Sequence, residues 1–396
     1  MAVSLESVLA AELQNIVAAK RWRQRRIVEP RVGMNPTAVW ADGRECINFC
    51  SNDYLGLSAH PEIRAAFVAA VNRYGSGAGA SHLVTGHGPE HEALEEELAQ
   101  FTGRPRALLF STGYMANLSI ASAIVRREDQ IFEDRLNHAS LLDAGRLSGA
   151  GFHRYAHASP DDLLQRLIAT PAAPGHRRVV VTDGVFSMDG DMAPLKELIA
   201  VCSEQDAWLM VDDAHGFGVM GKHGRGSLEV GDADAAEVPI YMATLGKALG
   251  TFGAFIAGSA TLIDFLINRA RTYIYTTALP PAVAAASRAA LRLIQREAWR
   301  RERLNAHIER FRRGAAQLGL KLLPSQSAIQ PLILGTEETT SAASAVLLDA
   351  GFLVMPIRPP TVPAGTSRLR ITLSTAHETA DIDRLLDALA ALPASS

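Results

Sequence analysis

The chain reads as an α/β protein: a large domain on a mostly parallel sheet, then a smaller α+β C-terminal domain. Two observations carry this. From Cys46 to about Leu279, short continuous apolar runs alternate with helical patterns, which implies right-handed βαβ units. After Pro280-Pro281 the pattern changes to long helical stretches followed by shorter strands. With 396 residues, 48% hydrophobic and 20% charged, the chain can bury a large core. The divisions expected are 1–45 (helix and arm), 46–285 (large domain) and 286–396 (small domain).

In chain order, Leu5–Arg26 reads as one amphipathic helix. It ends in a basic cluster, Lys20, Arg21, Arg23, Arg25 and Arg26, where cations suit the negative pole of the helix dipole. Helical patterns follow at His60–Tyr74 and Glu90–Phe101. The strands expected in the large domain are Ala107–Ser111, Gln130–Glu133, Arg178–Thr182, Trp208–Val211, Ile240–Thr244 and Ala254–Gly258. Their continuous apolarity fits strands covered on both faces. Met115–Val125 and Leu195–Glu204 are intervening helices, the latter with Pro194 at its first turn. Beyond Pro281, helices cover Ala282–Leu318 with a break near Glu297–Arg303. Strands follow at Ile329–Leu334, Phe352–Met355 and Leu369–Leu373, with helices at Ser341–Ala350 and Thr379–Leu392. The Pro- and Gly-rich segment Arg358–Thr366 reads as an ordered loop.

Composition excludes several classes. A net charge of −3 gives no global basic field for nucleic acid or an anionic membrane. No window reaches the ~18 apolar residues a membrane span needs. Met1–Lys20 carries Glu6 and Glu12 without a long apolar stretch, so it does not read as a signal peptide. The three cysteines, Cys46, Cys50 and Cys202, form no Cys-x-x-Cys pair, which argues against a disulfide framework and fits a reducing compartment. A cytoplasmic protein is expected.

The most informative residues are Asp212 and Lys247. Asp212 ends the run Trp208–Val211, and Lys247 sits in Thr244-Leu245-Gly246-Lys247-Ala248-Leu249-Gly250, one βα unit later. Ligands of parallel sheets bind beyond the strands' carboxyl ends, and Asp183, Asp212 and Lys247 all follow such ends. A lysine that can form an imine, with an acid that can keep a ring nitrogen protonated, suits pyridoxal phosphate. Ser111-Thr112-Gly113-Tyr114 joins a strand to a helix, so its backbone N–H groups can bind a phosphate. Thr112 and Thr244 would add hydroxyls, and Tyr114 a ring. His138 could stack on the pyridine face. His215 and Ser187 could reach the phenolic oxygen. Arg368 and Arg370 are expected on opposite faces of a strand, one solvated and the other in the cleft, where a guanidinium would grip a carboxylate.

Two motifs carry less. Gly75-Ser76-Gly77-Ala78-Gly79 follows a helix rather than a strand, so it is a weak dinucleotide fingerprint. His87-Gly88-Pro89-Glu90-His91 matches a zinc-protease pattern, but Gly88 and Pro89 oppose one helix carrying both histidines. No metal site is expected.

Taken as a set, Ser51-Asn52-Asp53-Tyr54-Leu55-Gly56-Leu57, Asp183–Gly190, Val211–Gly216, Thr244–Gly250 and Pro360-Thr361-Val362-Pro363 resemble the α-oxoamine synthases, fold-type I pyridoxal phosphate enzymes. Ala328–Leu332 and Ile357–Thr366 most resemble the biotin-pathway branch. The resemblance implies decarboxylative condensation of L-alanine with a pimeloyl thioester, on coenzyme A or acyl carrier protein. It implies that Lys247 bonds the cofactor, Asp212 pairs with the ring nitrogen, His138 stacks, and His215 and Ser187 serve the phenolic oxygen. Thr112, Gly113, Tyr114 and Thr244 would line the phosphate and ring pocket. Arg370, with Asn52 nearby, would hold the alanine carboxylate. Thr361, Arg358 and an N-terminal arginine, Arg23 by first choice over Arg25 and Arg26, would face the acyl substrate. Family enzymes are homodimers with shared sites, and Thr276 and Thr277 would reach the neighbour's phosphate. The rival readings are a sister synthase using glycine (glycine C-acetyltransferase or 5-aminolevulinate synthase), an aldolase or transaminase on the same scaffold, and a non-catalytic subunit.

Overall fold

A computed structural model describes residues 4–392 except Lys20, Gln24 and 31–36. Lys20 of the basic cluster thus lies outside the described residues. Ser4 caps the first helix, its hydroxyl accepting from Ser7 N at 3.2 Å. That helix spans Leu5–Ala18 and stops before the arginines rather than running to Arg26. Continuing it would set Arg21 and Arg25 four apart on one face, a repulsive pair.

Three strands follow, β1 (Val28–Pro30), β2 (Ala38–Ala41) and β3 (Arg44–Asn48), paired antiparallel. The central sheet comprises β4 (Arg106–Phe110), β5 (Gln130–Asp134), β6 (Gly151–Tyr155), β7 (Arg178–Asp183), β8 (Trp208–Asp212), β9 (Ile240–Thr244) and β10 (Ala254–Gly258), in the order β4-β10-β9-β8-β7-β5-β6. The strands from β5 to β9 run parallel, while β10 is antiparallel to both β4 and β9. Every strand expected here is present within a residue at each end. The unforeseen one, β6, is a half-covered edge with the mixed sequence Gly-Phe-His-Arg-Tyr.

Alternate residues of these strands enter two different cores. Leu108, Ile131, Val179, Met210, Ile240 and Met242 pack on one face, and Leu109, Phe132, Val180, Leu209, Tyr241 and Ala243 on the other. Both faces are dry, which is why the runs carry no polar alternation.

The C-terminal region contains β11 (Ile329–Gly335), β12 (Phe352–Leu353), β13 (Met355–Ile357) and β14 (Ser367–Thr372). Strands β11, β14 and β13 form an antiparallel sheet, whereas β12 pairs parallel with β3. The expected strand Phe352–Met355 is thus divided between two sheets. The helices Pro281–Arg296 and Trp299–Gln317 separate at the foreseen break. The first of them runs through position 285, and β3 straddles position 45. Among the described residues no helix is long and apolar enough to cross a membrane.

What matters for chemistry is register. Asp183 lies opposite Asp212, and Asp212 opposite Met242, so two acids stand side by side at the sheet's carboxyl edge, next to the strand that leads to Lys247. The Lys247 loop folds on itself through Gly250 N to Lys247 O (2.8 Å), Leu245 N to Gly253 O (2.8 Å) and Thr251 N to Leu245 O (3.1 Å). Gly250 has φ +68, and a Cβ there would lie 2.4 Å from Ser58 N. Only glycine lets this loop rest on the Leu57–Ser58 backbone. Gly250→Ala is therefore expected to cost about 2 kcal/mol or more, through strain and backbone clash. Denaturant or thermal unfolding checks this, and an unchanged midpoint would contradict the packing.

Candidate active site

Lys247 Nζ lies 2.8 Å from His215 Nε2, and His215 Nδ1 lies 2.6 Å from the Tyr54 hydroxyl. Burial lowers the lysine pKa to about 8, against the opposing pull of Asp212 and Asp183. Burial also lowers His215 well below the ordinary histidine value, helped by the charges of Lys247 and Arg370. A neutral imidazole thus links the amine to Tyr54, whose own pKa burial raises to about 12. Tyr54 was part of a motif in the sequence, but its role here has no signature of its own: the contact spans 161 positions.

Asp212 accepts from Ala214 N (3.0 Å) through Oδ1 and from Asn117 Nδ2 (2.8 Å) through Oδ2. Asn117 is buried in the helix Gly113–Ile124 and was not foreseen, because an asparagine inside a helix gives no motif. Asp183 Oδ2 accepts from His138 N at 2.7 Å. Burial, then the adjacent Asp212, raises the Asp183 pKa well above the ordinary carboxyl value. Burial lowers that of His138.

His138 and Ser187 line a cavity of about 720 Å³ together with Arg135, Phe186, Thr361 and Arg368. The segment Pro360–Pro363 closes one wall, so the loop expected between two strands has a site to border. The expectation that Arg368 and Arg370 face opposite ways is overturned. Residues two apart in a strand share a face, and both guanidiniums meet one loop of the large domain. Arg370 Nε donates to Ser187 O (2.6 Å), its Nη atoms reach Asn52 Oδ1 (3.3 Å), and Arg368 is ion-paired with Asp189.

Thr112 caps the helix Gly113–Ile124, its Oγ1 accepting from Met115 N at 3.2 Å. The N–H groups of Gly113 and Tyr114 thus begin a twelve-residue helix, as a phosphate cup requires. A Cβ at Gly113 would come within 3.2 Å of Met242 Cε. Tyr114 turns outward and its hydroxyl bonds Asp143. Thr244 Oγ1 donates to Gly253 O (2.9 Å), which ties its hydroxyl to the loop. Thr276 and Thr277 follow the short helix Arg271–Ile274; Tyr275 and Thr277 are exposed. Arg358 lies apart, in a second cavity of about 400 Å³ with Arg26, Arg44 and Asp42. Arg23 is exposed and lines neither cavity; the N-terminal arginine beside Arg358 is Arg26, paired with Asp42 at 2.8 Å.

In the zinc-protease pattern, Pro89 starts the helix Pro89–Thr102. His91 Nε2 donates to Leu279 O (2.7 Å) while His87 meets His82 and Glu92, so the pair does not converge on one point.

The donor set fits pyridoxal phosphate. An amine lowered toward neutrality stands beside a buried carboxylate that already accepts two hydrogen bonds. A capped helix start offers free N–H groups, and a cavity lies on the side of His138.

The class I and II aminotransferase family model matches residues 44–389. The 8-amino-7-oxononanoate synthase of Methylococcus capsulatus is 60% identical over 96% of this chain and 97% of its own. That of Cellvibrio japonicus is 57% identical over 97% and 95%. Among solved structures, Sphingomonas wittichii serine palmitoyltransferase superposes with a TM-score of 0.92 at 33% identity, covering 98% of both chains. The 8-amino-7-oxononanoate synthase of Francisella tularensis gives 0.75 at 32% identity, covering 87% of this chain and 97% of that one. With the site geometry and the full-length likeness in agreement, the chain belongs to the class I and II aminotransferase family and, within it, to the 8-amino-7-oxononanoate synthases.

Proposed function

We propose that this enzyme condenses L-alanine with a pimeloyl thioester, carried on coenzyme A or acyl carrier protein, to give 8-amino-7-oxononanoate, CO2 and the free thiol. The observation that carries the reading is the buried Lys247 amine, held by His215 at the carboxyl edge where Asp183 and Asp212 meet. Pyridoxal phosphate, when bound, supplies an aldehyde for amines and a cationic ring that accepts the electron pair left on the substrate carbon.

The chain's residues divide the remaining work. Lys247 Nζ would hold the cofactor and, as a free amine, would take the Cα proton of alanine. Asp212 would accept the ring N–H and favour its cationic form. His215 and Ser187 would serve the phenolic oxygen. His138 would cover the ring face. Thr112, Gly113 and Thr244 would line the phosphate and ring pocket, with the backbone N–H of Tyr114 rather than its outward ring. In a homodimer with shared sites, Thr276 and Thr277 of one protomer serve the phosphate bound by the other. Arg370 with Asn52 binds the alanine carboxylate, and Thr361 borders the acyl chain. Arg358 and an N-terminal arginine would meet the far end of the acyl substrate; Arg26 shares a cavity with Arg358, and Arg23 does not.

Three outcomes test this. The lysine attacks only as a neutral amine, and its pKa is lowered to about 8. Above that pH the amine is mostly deprotonated. Capture of pyridoxal phosphate by apoprotein should accelerate as pH rises through about 8 and then level off. Stopped-flow absorbance reads the rate; a flat profile from acid to alkaline pH contradicts the assignment. Lys247→Ala should lose borohydride-trappable cofactor and turnover together. Separately, kcat/KM for L-alanine with pimeloyl-coenzyme A should exceed that for glycine with acetyl-coenzyme A by about tenfold or more. The reverse order would favour the glycine-using sister enzymes.

A further inference from the structure

Beneath the ring site, Asn117 has both amide hydrogens engaged. Its Nδ2 donates to Asp212 Oδ2 at 2.8 Å and to Ser140 Oγ at 2.8 Å. The amide orientation follows from Asp212, whose carboxylate only accepts and so requires the NH2 end. Ser140 Oγ, already accepting from Asn117, sits 2.7 Å from His138 Nδ1. The same ring nitrogen also faces Ser140 N at 3.3 Å. A backbone N–H is only a donor, so Nδ1 is an acceptor and the hydroxyl hydrogen of Ser140 points to it as well. The proton of the neutral ring must then sit on Nε2.

We infer that Asn117 and Ser140 are positioning residues that couple Asp212 to His138 and fix His138 as its Nε2–H tautomer, a neutral hydrogen-bond donor to the reacting substrate. This rests on the proposed function, in which His138 covers the cofactor ring. One amide orients the carboxylate that acts on the ring nitrogen and, through one hydroxyl, sets the proton position on the group that covers the ring. Asn117 and Ser140 are both buried, so neither is replaced by water at no cost. Asn117 Oδ1 has no partner, so the side chain is kept for its two donors alone. The lowered pKa of His138 agrees with a neutral ring.

Histidine-15N-labelled holoenzyme, compared with the H138N variant to assign the signal, reads the tautomer directly by NMR. The expected pattern has the protonated nitrogen at Nε2; a proton on Nδ1, or a doubly protonated ring at neutral pH, overturns the inference. Kinetics read the coupling. Ser140→Ala and Asn117→Ala should each lower kcat about tenfold, the cost of a broken buried hydrogen bond, with KM for alanine nearly unchanged. The double variant should be little worse than Asn117→Ala alone, because both cut one chain. Both should change the visible circular dichroism of bound cofactor in the same sense, and Ser140→Thr, which restores a hydroxyl, should recover most of the lost rate. Wild-type kcat in Ser140→Ala, or strictly additive losses, would refute the relay. Loss of cofactor trapping in wild-type protein would instead refute the functional reading on which it rests.

Discussion

The site is organised around one tension: an amine must stay nucleophilic beside two buried acids. Asp212 and Asp183 favour the protonated ammonium, while burial opposes it more strongly and lowers Lys247 to about 8. A fully solvated lysine would be almost entirely cationic at neutral pH, whereas one among unopposed acids would be locked as an ion pair. The balance requires the acids themselves to be restrained. Asp183 is raised by burial and by its neighbour, so the pair need not carry two full charges. Asp213, one residue on, is raised to about 7 by burial while Ser227 N and the Tyr241 hydroxyl donate to it. The acids crowd together, but the protein environment charges them selectively.

That arrangement follows from strand register rather than from loop design. Parallel pairing sets Asp183, the last residue of β7, beside Asp212, the last residue of β8, and Asp212 beside Met242 of β9, so acids at the ends of adjacent strands must share a site. The loop after β9 then needs only a short turn to bring Lys247 back over them. The left-handed backbone of Gly250 and its contact with Ser58 make that turn rigid and join it to the Asn52–Ser58 segment, which also supplies Tyr54 behind His215.

How much of this was legible depends on how local each signal is. Asp212 ends a strand and Lys247 and His138 follow shortly after one, and a strand end is visible wherever a continuous apolar run stops. The central strands were readable for the same reason. Edge strand β6 was not, because Gly151–Tyr155 has one half-covered face and no continuous run. The antiparallel turn of β10 was invisible too, since direction leaves no mark on composition. Asn117 was missed because its meaning arises only when the helix Gly113–Ile124 packs against β8, and Tyr54 because its partner lies far along the chain. The basic cluster has no fixed register in the sequence, so the fact that Arg26 shares a cavity with Arg358 shows only in the folded chain.

The small domain shows how the same few contacts can serve both stability and access. Arg368 and Arg370 point from one face of β14 into the Ser187–Asp189 loop, one to a carboxylate and one to a backbone carbonyl. The far side of that loop is fixed by His157, which would titrate lower by burial alone but is raised to about 10 by hydrogen bonds to Asp134 and Asp191. The loop is therefore held by a cationic histidine from the large domain and two guanidiniums from the small one. Because Arg370 also reaches Asn52, any shift of β14 relative to the central sheet would disturb the cavity wall and the Asn52–Tyr54 segment together. A substrate carboxylate that engages Arg370 would thus contact the seam between the domains, where its binding energy bears on the walls that surround the reacting carbon.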